Sequence, residues 1–114
     1  MDTVLVTGAN GFIGRALCDV LVASGRRVRK AVRMPVPGLE DTVAVGDIGP
    51  DTDWRTALER VSGVVHLAAR THVLRETSTD PLAEFRKINV SGTERLARSA
   101  AAGGVRRLVF VSSV

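Results

Sequence analysis

The chain contains no tyrosine, one tryptophan and three phenylalanines. Its core must therefore be aliphatic, and no step that needs a phenol as proton donor or acceptor can be carried by these residues. A single cysteine, Cys18, excludes an internal disulfide and fits a reducing compartment. Cys18 falls within an apolar pattern of helical spacing, which assigns it to packing rather than to a reactive thiol. No apolar run approaches the roughly 18 residues that span a bilayer. Asp2 and the glycines at 8, 11 and 14 interrupt what would be the apolar region of a secretory signal. A cytoplasmic protein with no membrane partner is expected. Lysine is nearly absent too: arginine supplies 14 of the 16 cations, against 12 acids, for a net charge of +4. The arginines are scattered, so they read as a solvated surface rather than a nucleic-acid footprint, and no nucleic-acid partner is expected.

What is present fits one soluble domain: 114 residues, 45% hydrophobic and 25% charged. Residues 3–7 (TVLVT) are β-branched and apolar, closed by Gly8, and predict a buried strand. Helical spacing follows, with Ile13, Leu17 and Val20 or Leu21 on the inward face and Gly25 placed to end the helix. Strands are predicted over 28–33, with Val28 and Val32 inward, and around 42–45. Asp51 or Asp53 can cap a short helix that holds Trp54, Ala57 and Leu58. Residues 63–69 (GVVHLAA) read as a strand buried on both faces, and 70–79 as a loop or partly helical excursion. A long helix is predicted from Asp80 to about Ala102, stopped by Gly103 and Gly104, before a fifth strand in "RRLVFVSSV". Strands alternating with helices imply an α/β fold: a Rossmann-type doubly wound parallel sheet, three layers deep, through its fifth strand.

Between the first strand and helix stands "GANGFIG". Gly8 permits the tight turn off the strand, Gly11 lets the backbone approach a pyrophosphate, and Gly14 lets the helix pack close to the sheet. First-turn amides and the helix dipole then face phosphate oxygens. A ligand-free glycine-rich turn is the bland alternative, and the strand before, the amphipathic helix after and the second strand close behind weigh against it. A Walker-type loop is excluded by the lack of Gly-Lys-Ser/Thr.

"VTGANGFIG" resembles the fingerprint of the extended short-chain dehydrogenase/reductase family, which includes NAD(P)-dependent sugar epimerases and dehydratases. "GDI" at 46–48, "VVHLAA" at 64–69, "NVSGT" at 89–93 and "RRLVFVSS" at 106–113 match in order, so the resemblance covers essentially the whole chain. It implies an NAD(P)-binding Rossmann domain over residues 1–114. Gly8, Asn10, Gly11, Phe12, Ile13 and Gly14 would line the pyrophosphate. Asp47 and Ile48 would border the adenine, the carboxylate accepting from its amino group, although Asp47 at a strand end also suits a surface cap. Leu67, Ala68 and Ala69 would pass behind the ribose and nicotinamide, or else be plain core. Asn89 would hold the active-site geometry, or be a tolerated helical polar residue. His66, within an apolar strand, reads as a hydrogen-bonded buried histidine rather than a proton shuttle.

Strand two ends in "RKAVRMP", with none of the acid that NAD-dependent members usually place there. Arg33 stands where related reductases set an arginine against the 2′-phosphate of NADP, and Arg15 can assist. The cofactor is therefore NAD or NADP, with a lean to NADP; the other reading leaves Arg33 solvated and NAD equally accepted. Family chemistry uses a Tyr-x-x-x-Lys pair and a Ser or Thr on the reacting oxygen. Ser113 matches the Ser/Thr position, while Tyr-x-x-x-Lys is missing. The resemblance thus implies the N-terminal part of a nucleotide-sugar epimerase or dehydratase, most like UDP-sugar 4-epimerases. On that reading this part supplies cofactor binding without turnover, and strand five is an open sheet edge. A nucleotide-sugar substrate and a homodimer through the helix at 80–102 go with it. An NADP-dependent reductase of the same superfamily and a non-catalytic dinucleotide sensor are the alternatives.

Overall fold

The computed structural model describes residues 3–67, 83 and 87–111. Its elements are β1 (Thr3–Thr7), α1 (Phe12–Ala23), β2 (Arg27–Val32), β3 (Thr42–Ala44), β4 (Val61–His66), α2 (Thr93–Ala102) and β5 (Arg107–Phe110). A π-helical segment, Lys87–Gly92, runs directly into α2. The strands form one sheet in the order β3-β2-β1-β4-β5, and every pairing is parallel. The chain is the doubly wound Rossmann-type sheet that its alternation of elements implies.

Alternation along β1 builds a core on each face. Val4 and Val6 join Cys18 and Val28, packed by Leu17 and Leu21 of α1. Leu5 points the other way, into a cluster with Ala31, Trp54, Leu58, Val64 and, from α2, Leu96 and Ala100. The β1–β4 register shifts by one residue between Thr3–Val61 and Val4–Gly63. That bulge lets Val61 and Val64, three apart, face the same core. Burial raises the Cys18 thiol pKa, in keeping with a packing role.

α1 and α2 end as the glycines predict. After α1, Arg26 N–H donates to Leu21 C=O (3.1 Å) and Gly25 adopts φ +86°. After α2, Val105 N–H donates to Ala100 C=O (3.0 Å) and Gly104 adopts φ +77°. Each is a Schellman closure.

Two expectations are corrected. The inward face of α1 is Gly14, Leu17, Cys18 and Leu21, whereas Ile13 and Val20 are 64% and 65% exposed. The contact with β1 is too close for a side chain: a Cβ on Gly14 would lie 2.1 Å from Gly8 O and 2.8 Å from Ala9 Cα. Glycine therefore sets the face, and Ile13 turns outward. The short helix expected after Asp51 or Asp53 is a set of turns over 55–60. Asp53 Oδ1 accepts from Arg55 N–H (3.0 Å) as a cap would, and Leu58 N–H reaches Trp54 C=O (2.9 Å). The helix does not propagate, because Arg60 enters φ +61° and Val61 already belongs to β4. Arg29 of β2 fastens these turns by donating to the carbonyls of Ala57 (2.8 Å) and Glu59 (2.6 Å).

Gly14→Ala is expected to cost about 3 kcal/mol, the upper end of the overpacking range, since backbone must move. Gly25→Ala meets nothing within 4 Å and should cost only the about 1–2 kcal/mol of a left-handed residue. Urea denaturation of the two variants checks this; equal losses would mean that α1 is not held at Gly14.

Candidate functional site

In a parallel doubly wound sheet, ligands sit beyond the carboxyl ends of the strands where chain direction diverges, here between β1 and β4. The turn after β1 is shaped for such a ligand. Gly8 adopts φ +65°, and Gly11 N–H donates to Gly8 C=O (3.1 Å), folding the chain back on the strand end. Gly11 is the N-cap residue of α1, with no side-chain cap and no acid in the first turn. The amides of residues 12–14 therefore lack intrahelical acceptors at the positive end of the helix dipole. Asn10 and Gly11 are exposed, Phe12 is 93% exposed, and a Cβ on Gly11 would stand 3.3 Å from Gly8 O. This is an anion cradle with backbone walls. Arg15, exposed in the same turn, adds positive charge beside it.

Arg33 and Asp47 lie together at the ends of β2 and β3. Val45 N–H donates to Val32 C=O (2.9 Å) and Gly46 N–H to Arg33 C=O (3.1 Å), so pairing continues past the strands. Arg33 Nε then meets Asp47 Oδ1 at 2.6 Å, with both side chains about two-thirds exposed at 65% and 67%. Both groups remain accessible to a ligand. The sequence marks each residue separately and does not foretell that they pair.

At β4 the strand end is locked from inside. Leu67 N–H donates to Thr7 Oγ1 (2.9 Å), and that hydroxyl lies 2.7 Å from His66 Nδ1. His66 is 2% exposed and stacks on Phe110, with ring centroids 5.6 Å apart. Burial lowers its pKa. The buried, hydrogen-bonded reading of His66 fits this geometry. Leu67 packs beneath the crevice against the α1-side core.

Ile48 is half-buried against the α2-side core, and Asn89 is half-buried in the π-helical segment, a type of helical defect common at functional sites. Ala68, Ala69 and Ser113 lie outside the described residues, as do Asp80 and Pro81, where the long helix is predicted to start. Sequence reading passes over Thr52. Its hydroxyl accepts from Gly49 N–H (2.8 Å) and donates to Asp47 C=O (2.9 Å), holding the Asp47 loop. Its only sequence signal is a threonine within a Gly/Pro/Asp turn cluster. A separate groove of about 690 Å³ opens between the turns at 55–60 and α2. Of its four arginines, Arg55 is paired with Asp53 and Arg98 with Glu94, and Arg95 donates to Thr52 C=O.

The profile of the NAD dependent epimerase/dehydratase family matches residues 4–114. UDP-glucose 4-epimerase of Vibrio cholerae is 39% identical over 114 residues, covering 98% of this chain and 35% of that protein. Among solved structures, MoeE5 in complex with UDP-glucose and NAD superposes with a TM-score of 0.78 at 38% identity, covering 99% of this chain and 36% of that one. Gre2 of Candida albicans in complex with NADPH superposes with a TM-score of 0.80 at 25% identity, covering 99% and 37%. The chain thus spans about a third of the length of the proteins it resembles.

His66 generates a pH dependence. The folded chain keeps its imidazole neutral below the ordinary value of 6.5, whereas the unfolded chain takes up the proton. Stability therefore falls as pH drops through about 6.5, by at most about 1.4 kcal/mol per pH unit for one proton. Urea titrations at pH 7.5 and 5.5 should show this loss, reduced in His66→Gln; an unchanged slope would assign the titration to another group.

Proposed function

Because the chain belongs to the NAD dependent epimerase/dehydratase family, we propose that it forms the dinucleotide-binding part of a nucleotide-sugar epimerase or dehydratase of the UDP-sugar 4-epimerase kind. The observation that carries this reading is the uncapped start of α1, pressed by Gly14 onto the end of β1 at the crevice between β1 and β4. Free first-turn amides at the positive end of a helix suit an anionic group such as a pyrophosphate.

The residues divide the ligand between them. Amides of Phe12, Ile13 and Gly14, with the Gly11 backbone and Asn10 beside them, hold the pyrophosphate. Asp47 accepts from the adenine amino group through its exposed carboxylate, over Ile48. Arg33 uses its terminal nitrogens on a 2′-phosphate, which favours NADP, and Arg15 reinforces the positive field. Leu67, Ala68 and Ala69 shield the ribose and nicotinamide end. Asn89 orients the reacting region and Ser113 hydrogen-bonds the reacting oxygen. When bound, the dinucleotide supplies the hydride acceptor and donor. No residue of this chain is a tyrosine, so these 114 residues bind cofactor without turning over a sugar.

Arg33 favours a second reading, an NADP-dependent reductase of the same superfamily, and the likeness to an NADPH-bound Gre2 supports it. Both readings share the crevice and differ in whether hydride returns to the substrate.

Titration of the protein with NADH and NADPH should show binding of both, tighter for NADPH. Arg33→Asp should weaken NADPH at least about tenfold relative to NADH, the scale of one charge-assisted phosphate contact. Arg33→Ala should change unfolding free energy by less than about 1 kcal/mol, because the pair with Asp47 is exposed. An unchanged cofactor ratio in Arg33→Asp would remove Arg33 from the site, and absence of dinucleotide binding would remove the reading.

A further inference from the structure

Asp47 does not stand on a strand. β3 ends at Ala44 and the next strand begins at Val61, so the carboxylate is carried by a loop whose shape needs another cause. Four hydrogen bonds and one close packing contact supply it. Thr52, 7% exposed, turns back beneath the loop and uses its hydroxyl twice, accepting from Gly49 N–H (2.8 Å) and donating to Asp47 C=O (2.9 Å). Thr52 N–H also reaches Gly49 C=O (3.4 Å). From α2, Arg95 Nε donates to Thr52 C=O (3.0 Å), tying the turn to the helix. Gly92, at the end of the π-helical segment, closes the other side. A Cβ there would sit 2.8 Å from Ile48 Cγ2 and 3.5 Å from Gly49 N.

Resting on the reading of the crevice as a dinucleotide site, we propose that Thr52 is the positioning residue of its adenine end. It fixes the backbone from which the Asp47 carboxylate projects, while the ion pair with Arg33 holds that carboxylate at the ends of β2 and β3, exposed and able to accept from the adenine amino group. The requirement on residue 52 is narrow: a buried side chain that donates and accepts at once. Valine keeps the shape and removes both bonds; serine keeps both bonds and removes one methyl. Arg95 and Gly92 act through Thr52 and Ile48, and link the adenine loop to the segment that carries Asn89.

The test compares NADH with reduced nicotinamide hypoxanthine dinucleotide, which has a carbonyl where adenine has its amino group. Wild-type protein should prefer NADH. Thr52→Val should weaken NADH about tenfold, the effect of losing well-made buried hydrogen bonds, and leave the hypoxanthine dinucleotide nearly unchanged. Thr52→Ser should restore the preference. Arg95→Met, at an exposed position, provides a second variant that leaves the core intact; it should weaken NADH about threefold with no effect on the analogue. Equal weakening of both ligands by Thr52→Val and by Arg95→Met, or no weakening, overturns the positioning role while the dinucleotide site stands. Failure of wild-type protein to bind either ligand overturns the reading of the crevice, and the proposal with it.

Discussion

The ligand end of the molecule depends on how closely α1 can approach the carbonyl of Gly8. A side chain on Gly14 would overlap that oxygen, so the helix sits where only glycine allows it. This close approach turns the first-turn amides toward the mouth of the sheet. It also determines which face of α1 is buried, with Leu17, Cys18 and Leu21 following Gly14 inward and Ile13 left outside. One steric constraint thus fixes the core on one side of the sheet and the anion cradle at its end.

The other walls of the crevice are fixed by different means. At β4, a buried threonine hydroxyl joins the Leu67 amide and the His66 ring, locking two adjacent strand ends together. Across β2 and β3, backbone pairing runs on past the last strand residues and sets Arg33 beside Asp47. An exposed ion pair contributes little to stability, so that pair matters for where its charges stand. Behind Asp47, Thr52 and α2 hold the loop. The rigid parts are buried and uncharged, and the charged parts are exposed and partly unsatisfied, the division expected where a scaffold presents polar groups to a ligand.

The sheet was legible because its strands are β-branched apolar runs closed by glycines, and because the glycine triad stood between a strand and a helix. Gly25 and Gly104 end their helices with the positive φ that makes glycine readable. Three features resisted. On α1, Leu17 and Leu21 face inward as the periodicity predicts, but Ile13 does not, because periodicity counts apolar side chains and the decisive contact involves a residue without one. The short helix expected after Asp51 or Asp53 has a good cap and good residues, but the chain must enter β4 within a few positions. Thr52 could not be found from pattern, because its partners are backbone groups that meet only once the loop at 47–49 has folded. Arg33 and Asp47 were each visible as candidates, and only the sheet order makes them neighbours.

The most direct measurement follows the backbone amides of the isotope-labelled protein by NMR during titration with NADPH. The account predicts the largest shifts at Gly11 to Arg15, with a second group at Arg33 and Asp47 to Gly49, and small changes along α2 beyond Arg95. Shifts confined to the groove between Arg55 and Arg98, or no saturable shifts at the start of α1, would contradict it.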